Sequence, residues 1–284
     1  MNPNNSRKLI DAFLFFNEIE MLKARLEYLG PLVDYFVISE ANIDFSGKKK
    51  SLILNKELIS SLPFSKKIIY HSKEIDFNNL YWIFKKIRYR NNQPRLLWKL
   101  QDAQRNALLE PLKNFDNHDL IIFSDIDEFP SIDALNFFQT SKCSFDSDLI
   151  SEIYSCKQIF YYYDLNHAAI NDEFYGSILS NLKIFRKHLP HKIKSSKNDY
   201  KHIENGGWHF SYFMSEDKIR EKILAISDVE NLSYYKNLNV QQIKQKIISN
   251  TDLYDRNIIL SNDLATAVPN NLRNILKKYL PECV

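Results

Sequence analysis

Two aspartates one residue apart, Asp125 and Asp127, stand directly behind the most apolar short run of the chain, Leu120-Ile121-Ile122-Phe123. A run of that kind reads as a buried strand, and in open parallel sheets ligands bind beyond the carboxyl ends of the strands. Both carboxylates are therefore expected in a crevice, where a hard divalent cation would take them as ligands beside water and diphosphate oxygens. The pattern alone is cheap, since Asp146-Ser147-Asp148 repeats it in a polar stretch. Only the first copy follows a strand. The plainer alternative is that these loop acids cap the helix expected from about Ser131.

Other residues could serve the same crevice. Glu40 ends a second buried strand, as an acceptor for a ribose or base or as a solvated turn acid. Asn17-Glu18 closes the first strand at the mouth of a helix, where a carboxylate gains from the dipole as readily as from a ligand. Arg105 lies on a helix ahead of the Asp125 strand, with the planar fork that a diphosphate suits; a surface salt bridge would explain it too. In Gly206-Gly207-Trp208-His209-Phe210 the glycines let backbone approach a ligand, Trp208 can stack on a sugar, and His209 can ligate a metal or bond a phosphate. Trp and Phe are more often core than site.

These side chains need a frame, and the hydrophobic pattern supplies one. Lys8–Phe16 is of strand length, Ile19, Leu22, Leu26 and Leu29 recur at helical spacing, Gly30-Pro31 stops that helix, and Val33–Ser39 is a second buried strand. Strand, helix, strand with short connections predicts an α/β fold on a Rossmann-like, mostly parallel central sheet flanked by helices. A third strand is expected at Lys67–Tyr70 and a helix at Leu97–Leu112. Beyond these come strands at Gln158–Tyr163, Ile178–Phe185 and Trp208–Phe213. Helices are expected at Glu216–Ile226, Val240–Ser249 and Asn271–Tyr279. With no repeat or linker, residues 1–284 read as one domain, 9–130 binding a nucleotide and 131–284 forming the acceptor wall.

Composition narrows the function. Five glycines in 284 residues fall far below the usual figure of about 7%, and neither GxGxxG nor GxxxxGK[ST] occurs, which disfavours phosphate-loop and dinucleotide enzymes. A net charge of +3 is too mild for a dedicated nucleic-acid binder. Cys143, Cys156 and Cys283 form no CxxC, so a reducing cytosol is expected. No signal pattern or apolar run of about 18 residues is present. The expected location is cytoplasmic, with the inner membrane face as a place of contact. Two basic stretches bear on that contact: Phe77–Gln101, which contains no acid, and Lys183–Lys201. Each reads first as a solvated loop, but either can meet anionic lipid headgroups or a phosphorylated acceptor.

Taken together, DAFLFFNEIEMLKARLEYLGPLVDYFVISEANIDFSGKKKSL (11–52), QRNAL (104–108), DLIIFSDIDEFPS (119–131) and GGWHFSYF (206–213) resemble glycosyltransferase family 17, the family of β-1,4-mannosyl-glycoprotein 4-β-N-acetylglucosaminyltransferase and its bacterial relatives; DLYDR (252–256) is a weaker match. The resemblance covers roughly residues 9–260. It implies a GT-A type fold, a UDP-linked sugar donor, inversion at the anomeric carbon, and Mn²⁺ or Mg²⁺. Asp125 and Asp127 match the family's metal-diphosphate motif, followed by Glu128; Asn17, Glu18, Glu40 and Arg105 match positions around the nucleotide; Trp208 and His209 match its GWH motif. Asp228 departs where bacterial relatives more often show histidine, and Gln101 stands where an acid is common.

The chemistry expected is transfer of a sugar, N-acetylglucosamine by the resemblance, to a glycan or lipid-linked saccharide acceptor. Inversion needs a carboxylate to take the acceptor hydroxyl's proton, and Asp217 and Glu230 are the candidates. Trp208 would contact the acceptor; His209 would join the metal. A metal-dependent phosphohydrolase is a rival, although Phe129-Pro130 break the DxDx[TV] pattern such enzymes want. A non-catalytic glycan- or RNA-binding module is another.

Overall fold

The computed structural model describes residues 7–140, 149, 152–225, 235 and 237–284. Its first half follows the hydrophobic pattern: β1 (Leu9–Phe15), β2 (Tyr35–Ala41), β3 (Ile68–Lys73) and β4 (Leu120–Asp125) pair in parallel in the order β3-β2-β1-β4. β1 and β4 are covered on both faces, which accounts for their almost unbroken apolar sequences. α1 (Ile19–Leu29) links β1 to β2 and buries Met21, Leu22, Leu26 and Leu29, with helix Asn270–Tyr279 packed against it. Gly30 does not end α1 through a left-handed turn, because its φ is −56°. It is small because a Cβ there would sit 2.2 Å from the Phe64 ring, and Pro31 ends the helix.

Beyond β4 the sheet becomes antiparallel. β8 (Phe174–Asn181) borders β4, followed by β6 (Tyr154–Tyr162), β7 (Ala168–Ala169) and β10 (Leu260–Ser261). β9 (Lys201–Ser211) runs parallel beside β6 and antiparallel to β5 (Glu128–Pro130). The α/β class with a large central sheet flanked by helices is as expected; the parallel half is β1 to β4, and the rest is mixed. The strand expected over Ile178–Phe185 stops at Asn181, whose side chain accepts from Ile184 N and starts α6 (Leu182–His188). A polar cap wins over strand propensity there.

The two basic stretches are not loops. Phe77–Gln101 holds α3 (Leu80–Arg88) and the start of α4 (Gln93–Asn106), each capped by an asparagine, Asn79 and Asn92. Lys183–Lys201 holds most of α6, then α7 (Pro190–Ser195) and a 3₁₀ turn. α5 (Ile132–Thr140) and α8 (Glu216–Ala225) follow β5 and β9 respectively. Cys156 and Cys283 are free and buried, and Cys143 lies outside the described residues. No helix among the described residues is long and apolar enough to cross a membrane.

Candidate active site

Sheet register brings the separate motifs together. Leu14 at the end of β1 is paired with Asp125 at the end of β4, so the point where chain order reverses carries the first carboxylate, as expected for a crevice. β5 then pairs Glu128 with His209 and Phe129 with Trp208, and Phe210 N donates to Asp127 O at 2.8 Å. The Asp125-x-Asp127 turn and the GWH strand are thus one ladder. The glycines permit this contact rather than a ligand's approach. Gly207 has φ +132°, and a Cβ on it would stand 2.0 Å from Phe129 O; one on Gly206 would meet Cys156 Cα at 2.7 Å.

The turn is anchored from below by Arg25, a residue no motif singled out. Its guanidinium, fully buried, donates to Asp11 Oδ2 at 2.8 Å and Oδ1 at 2.7 Å, and to Glu128 O at 2.6 Å. A buried bidentate pair of this kind fixes geometry as well as charge. Glu128 in turn accepts from Asp125 N at 2.9 Å and from Lys194. Glu128 is 1% exposed, so it shapes the Asp125 turn instead of meeting a nucleotide sugar directly.

A cleft of about 240 Å³ opens over the turn, lined by Leu14, Phe16, Glu18, Phe45, Gln101, Asp125, Asp127, His209, Tyr212 and Lys222 among others. Lys222 Nζ of α8 lies 3.0 Å from Asp127 Oδ2 and 3.6 Å from Glu18 Oε1, and His209 Nε2 lies 3.4 Å from Asp127 Oδ1. Lys194 Nζ and Arg105 Nη2 flank Asp125 at 3.4 and 3.6 Å. Burial alone would raise the Asp125 carboxyl, but Lys194 and Arg105 outweigh it and hold it at about 2. Asp127 is likewise pulled well below the carboxylate range, with Lys222 and His209 outweighing burial. Lys222 is raised, because Asp127 and Glu18 more than offset its burial. Both aspartates are therefore anionic at neutral pH.

Three buried polar atoms around this cleft have no partner among the described residues: Arg105 Nε, His209 Nδ1 and Gln101 Oε1. An orphaned buried donor or acceptor is costly, and a ligand, an ion or a water can each satisfy it. The His209 ring stacks against Phe160 (centroids 4.5 Å apart) and Phe174 (4.3 Å), which are themselves 5.0 Å apart, so the three rings form one cluster that holds its orientation. For a divalent cation, Asp127 and His209 form a suitable carboxylate–imidazole pair. No group of three or more such ligands occurs among the described residues, so this pair can hold an ion only together with oxygens brought by a ligand or water. Asp125, whose side chain is 41% exposed, stands at the same cleft as a further carboxylate for the ion.

The remaining expectations divide clearly. Glu18 lines the cleft, and Arg105 reaches Asp125. Asn17 lies beside the cleft in a shallow depression with Glu20 and Lys218. Glu40 does not open into the crevice; it is fully buried, and its oxygens accept from Lys50, Ile53 N, Leu54 N and Tyr70 OH. Trp208, 8% exposed, packs edge-on against Tyr28 in the core, on the face away from His209, and does not meet an acceptor in the cleft. Asp217 is an exposed first-turn acid of α8 and does not line the cleft; Glu230 and Asp228 lie outside the described residues. The 252–256 stretch buttresses the wall: Asp252 holds Arg256, whose guanidinium lies over Tyr162, and Tyr254 OH meets the hydroxyl of cleft residue Tyr212.

Lys194 and Lys222 went unread because lysines carry no spacing signal. Lys194 sits among the other lysines of the second basic stretch, and nothing in the sequence marks it as the buried one.

No curated protein gives a significant match to this sequence. Among solved structures, similarity is found to an active-site mutant of LgtC, at 14% identity and a TM-score of 0.33. That match covers 67% of this chain and 63% of the other, so the chain spans less than two thirds of that protein. Another match is galactosyltransferase LgtC in complex with donor and acceptor sugar analogues, at 14% identity and a TM-score of 0.34, covering 94% of this chain and 100% of that one. Residues 2–260, the β1 crevice and the 252–256 buttress included, match the sequence model of glycosyltransferase family 17. The chain belongs to that family and is a glycosyltransferase.

Proposed function

We propose that the cleft binds a UDP-sugar with a divalent cation and transfers the sugar, with inversion, to a glycan or lipid-linked saccharide acceptor. N-acetylglucosamine is the sugar the family resemblance favours. The observation that carries the reading is the meeting of the Asp127 carboxylate, His209 Nε2 and Lys222 in one cleft, with Arg105 behind Asp125 and its Nε without an acceptor among the described residues. That combination suits a diphosphate: guanidinium and ammonium groups bind its oxygens. Asp127 and His209 would hold Mn²⁺ or Mg²⁺. Bound there, the ion would neutralise charge that develops on the leaving diphosphate.

The chain's own contributions are positioning and charge. Lys194 and Lys222 keep Asp125 and Asp127 ionised, and Arg25 fixes the turn that carries them. Arg105 and Lys222 would stabilise the departing diphosphate by preorganised charge. A proton acceptor is needed for the acceptor hydroxyl. With both aspartates engaged at the leaving group, Glu18 is the remaining carboxylate among the described residues that line the cleft, and we assign the role to it in place of Asp217.

A thermal-shift series with UDP-sugars, with and without Mn²⁺, tests the reading, because a ligand of the folded state raises its melting point by mass action. The proposal expects stabilisation by a UDP-sugar that requires the metal. Equal shifts with and without metal would remove the cation from it, and no shift with any nucleotide sugar would remove the donor.

A further inference from the structure

α3 turns its apolar side outward. Leu80, Ile83, Phe84 and Ile87 recur at three- and four-residue spacing, one stripe of a helix, and are 73%, 40%, 68% and 62% exposed. The opposite side does the packing: Trp82, at 4% exposure, joins Leu96 and Leu100 of α4, with Ile43 and Ile75, in a small core of its own. A helix that needed only to fold onto this protein would bury its widest apolar stripe. Contiguous exposed apolar surface of this kind marks an interaction site.

Charge says which. No acid occurs between Phe77 and Gln101, and Arg88, Arg90 and Arg95 are exposed, with Arg88 and Arg95 both lying over the Tyr89 ring at the end of α3. Lys86 is less available, because it donates to Asn78 Oδ1 at 3.0 Å and lies 4.3 Å from the Phe77 ring centre. Tyr81, also on α3, is 58% exposed. A free phosphate or an acidic solute would satisfy the arginines and leave the stripe in water. An anionic bilayer satisfies both, with apolar and aromatic groups at the acyl boundary and cations at the headgroups.

We propose that α3 docks the protein on an anionic phospholipid surface. α4, joined to α3 through Leu96 and Leu100, carries Gln101 to the cleft wall, so docking holds the cleft near the membrane. A lipid-linked acceptor would be favoured by that placement; this last clause rests on the function proposed above, and the docking itself does not.

Flotation of the full chain with vesicles of phosphatidylcholine, alone or mixed with phosphatidylglycerol, tests it. Binding is expected with the mixed vesicles and weakened by salt. Phe84→Ser with Ile87→Ser should lower partitioning at least about tenfold, and Arg88→Gln about fivefold. Both variants should keep the wild-type melting point and metal-dependent UDP-sugar shift, since these residues lie outside the cleft. Failure of the wild-type chain to float overturns the proposal, as does unchanged flotation of the variants. A dimer broken by Phe84→Ser, without flotation, would overturn it in favour of a second copy. Flotation without any UDP-sugar shift would sink the proposed function and leave the docking standing.

Discussion

Arg25→Met gives the sharpest test of how the fold holds the site. The substitution leaves the Asp11 carboxylate buried and unpaired and takes a donor from Glu128 O. Removing one partner of a buried ion pair costs about 3–5 kcal/mol. With an unfolding entropy of about 2.1 cal/mol/K per residue, a chain of 284 residues has about 0.6 kcal/mol/K, so the melting point should fall by about 5–8 °C. The double variant Asp11→Leu/Arg25→Met removes both charges. It should recover most of the loss, because a buried pair replaced by apolar groups is often near neutral. Activity should separate from stability, since both variants lose the anchor of the Asp125–Asp127 turn and both should transfer sugar more slowly. Calorimetric melting and a sugar-transfer assay on the three proteins decide the matter. A fall of less than about 2 °C for the single variant, or a double variant no more stable than the single one, would refute the reasoning.

Other perturbations probe the site piece by piece. Gly207→Ala should destabilise by at least about 1–3 kcal/mol through its backbone conformation alone, and denaturant titration should show it; an unchanged midpoint would contradict the close approach to Phe129. Lys222→Met should leave the fold intact and weaken donor affinity by at least tenfold, read by calorimetric titration of UDP-sugar; equal affinity would remove Lys222 from the diphosphate site. Asp125→Asn addresses pH. A carboxyl depressed to about 2 stabilises the fold above its unfolded value of about 3.9, and that stability is lost as pH falls toward the folded value. The wild-type melting point should therefore fall more steeply than the variant's between those pH values, and parallel curves would contradict the depression. Glu18→Gln should abolish transfer while keeping the UDP-sugar shift; if Glu230→Gln does so and Glu18→Gln does not, the proton acceptor is Glu230.

Much of the frame could be read from residue order because the central strands are buried on both faces. β1 and β4 have no polar side to confuse the period, and α1 keeps one stripe. Asp125 and Asp127 were legible for the same reason: a strand that apolar must end at the mouth of the sheet. Glu40 obeys the same rule in sequence and breaks it in space, since the segment from Lys50 to Leu54 folds back and covers it with backbone N–H groups. Trp208 and His209 are neighbours on one strand, so the alternation that turns His209 into the cleft must turn Trp208 into the core. Arg25, Lys194 and Lys222 depend on contacts between elements far apart in sequence, and a one-dimensional pattern carries no trace of them. α3, expected as part of a solvated loop, is a helix, and its periodic apolar residues face solvent.

The central claim is that Asp127 makes sugar transfer depend on a divalent cation. It is tested most directly by measuring UDP release from a panel of UDP-sugars by wild type and Asp127→Asn, each with Mn²⁺ and with chelator. The account predicts turnover only for wild type with metal, and a folded, inactive variant. Turnover by Asp127→Asn at the wild-type rate, or by wild type in chelator, would contradict it.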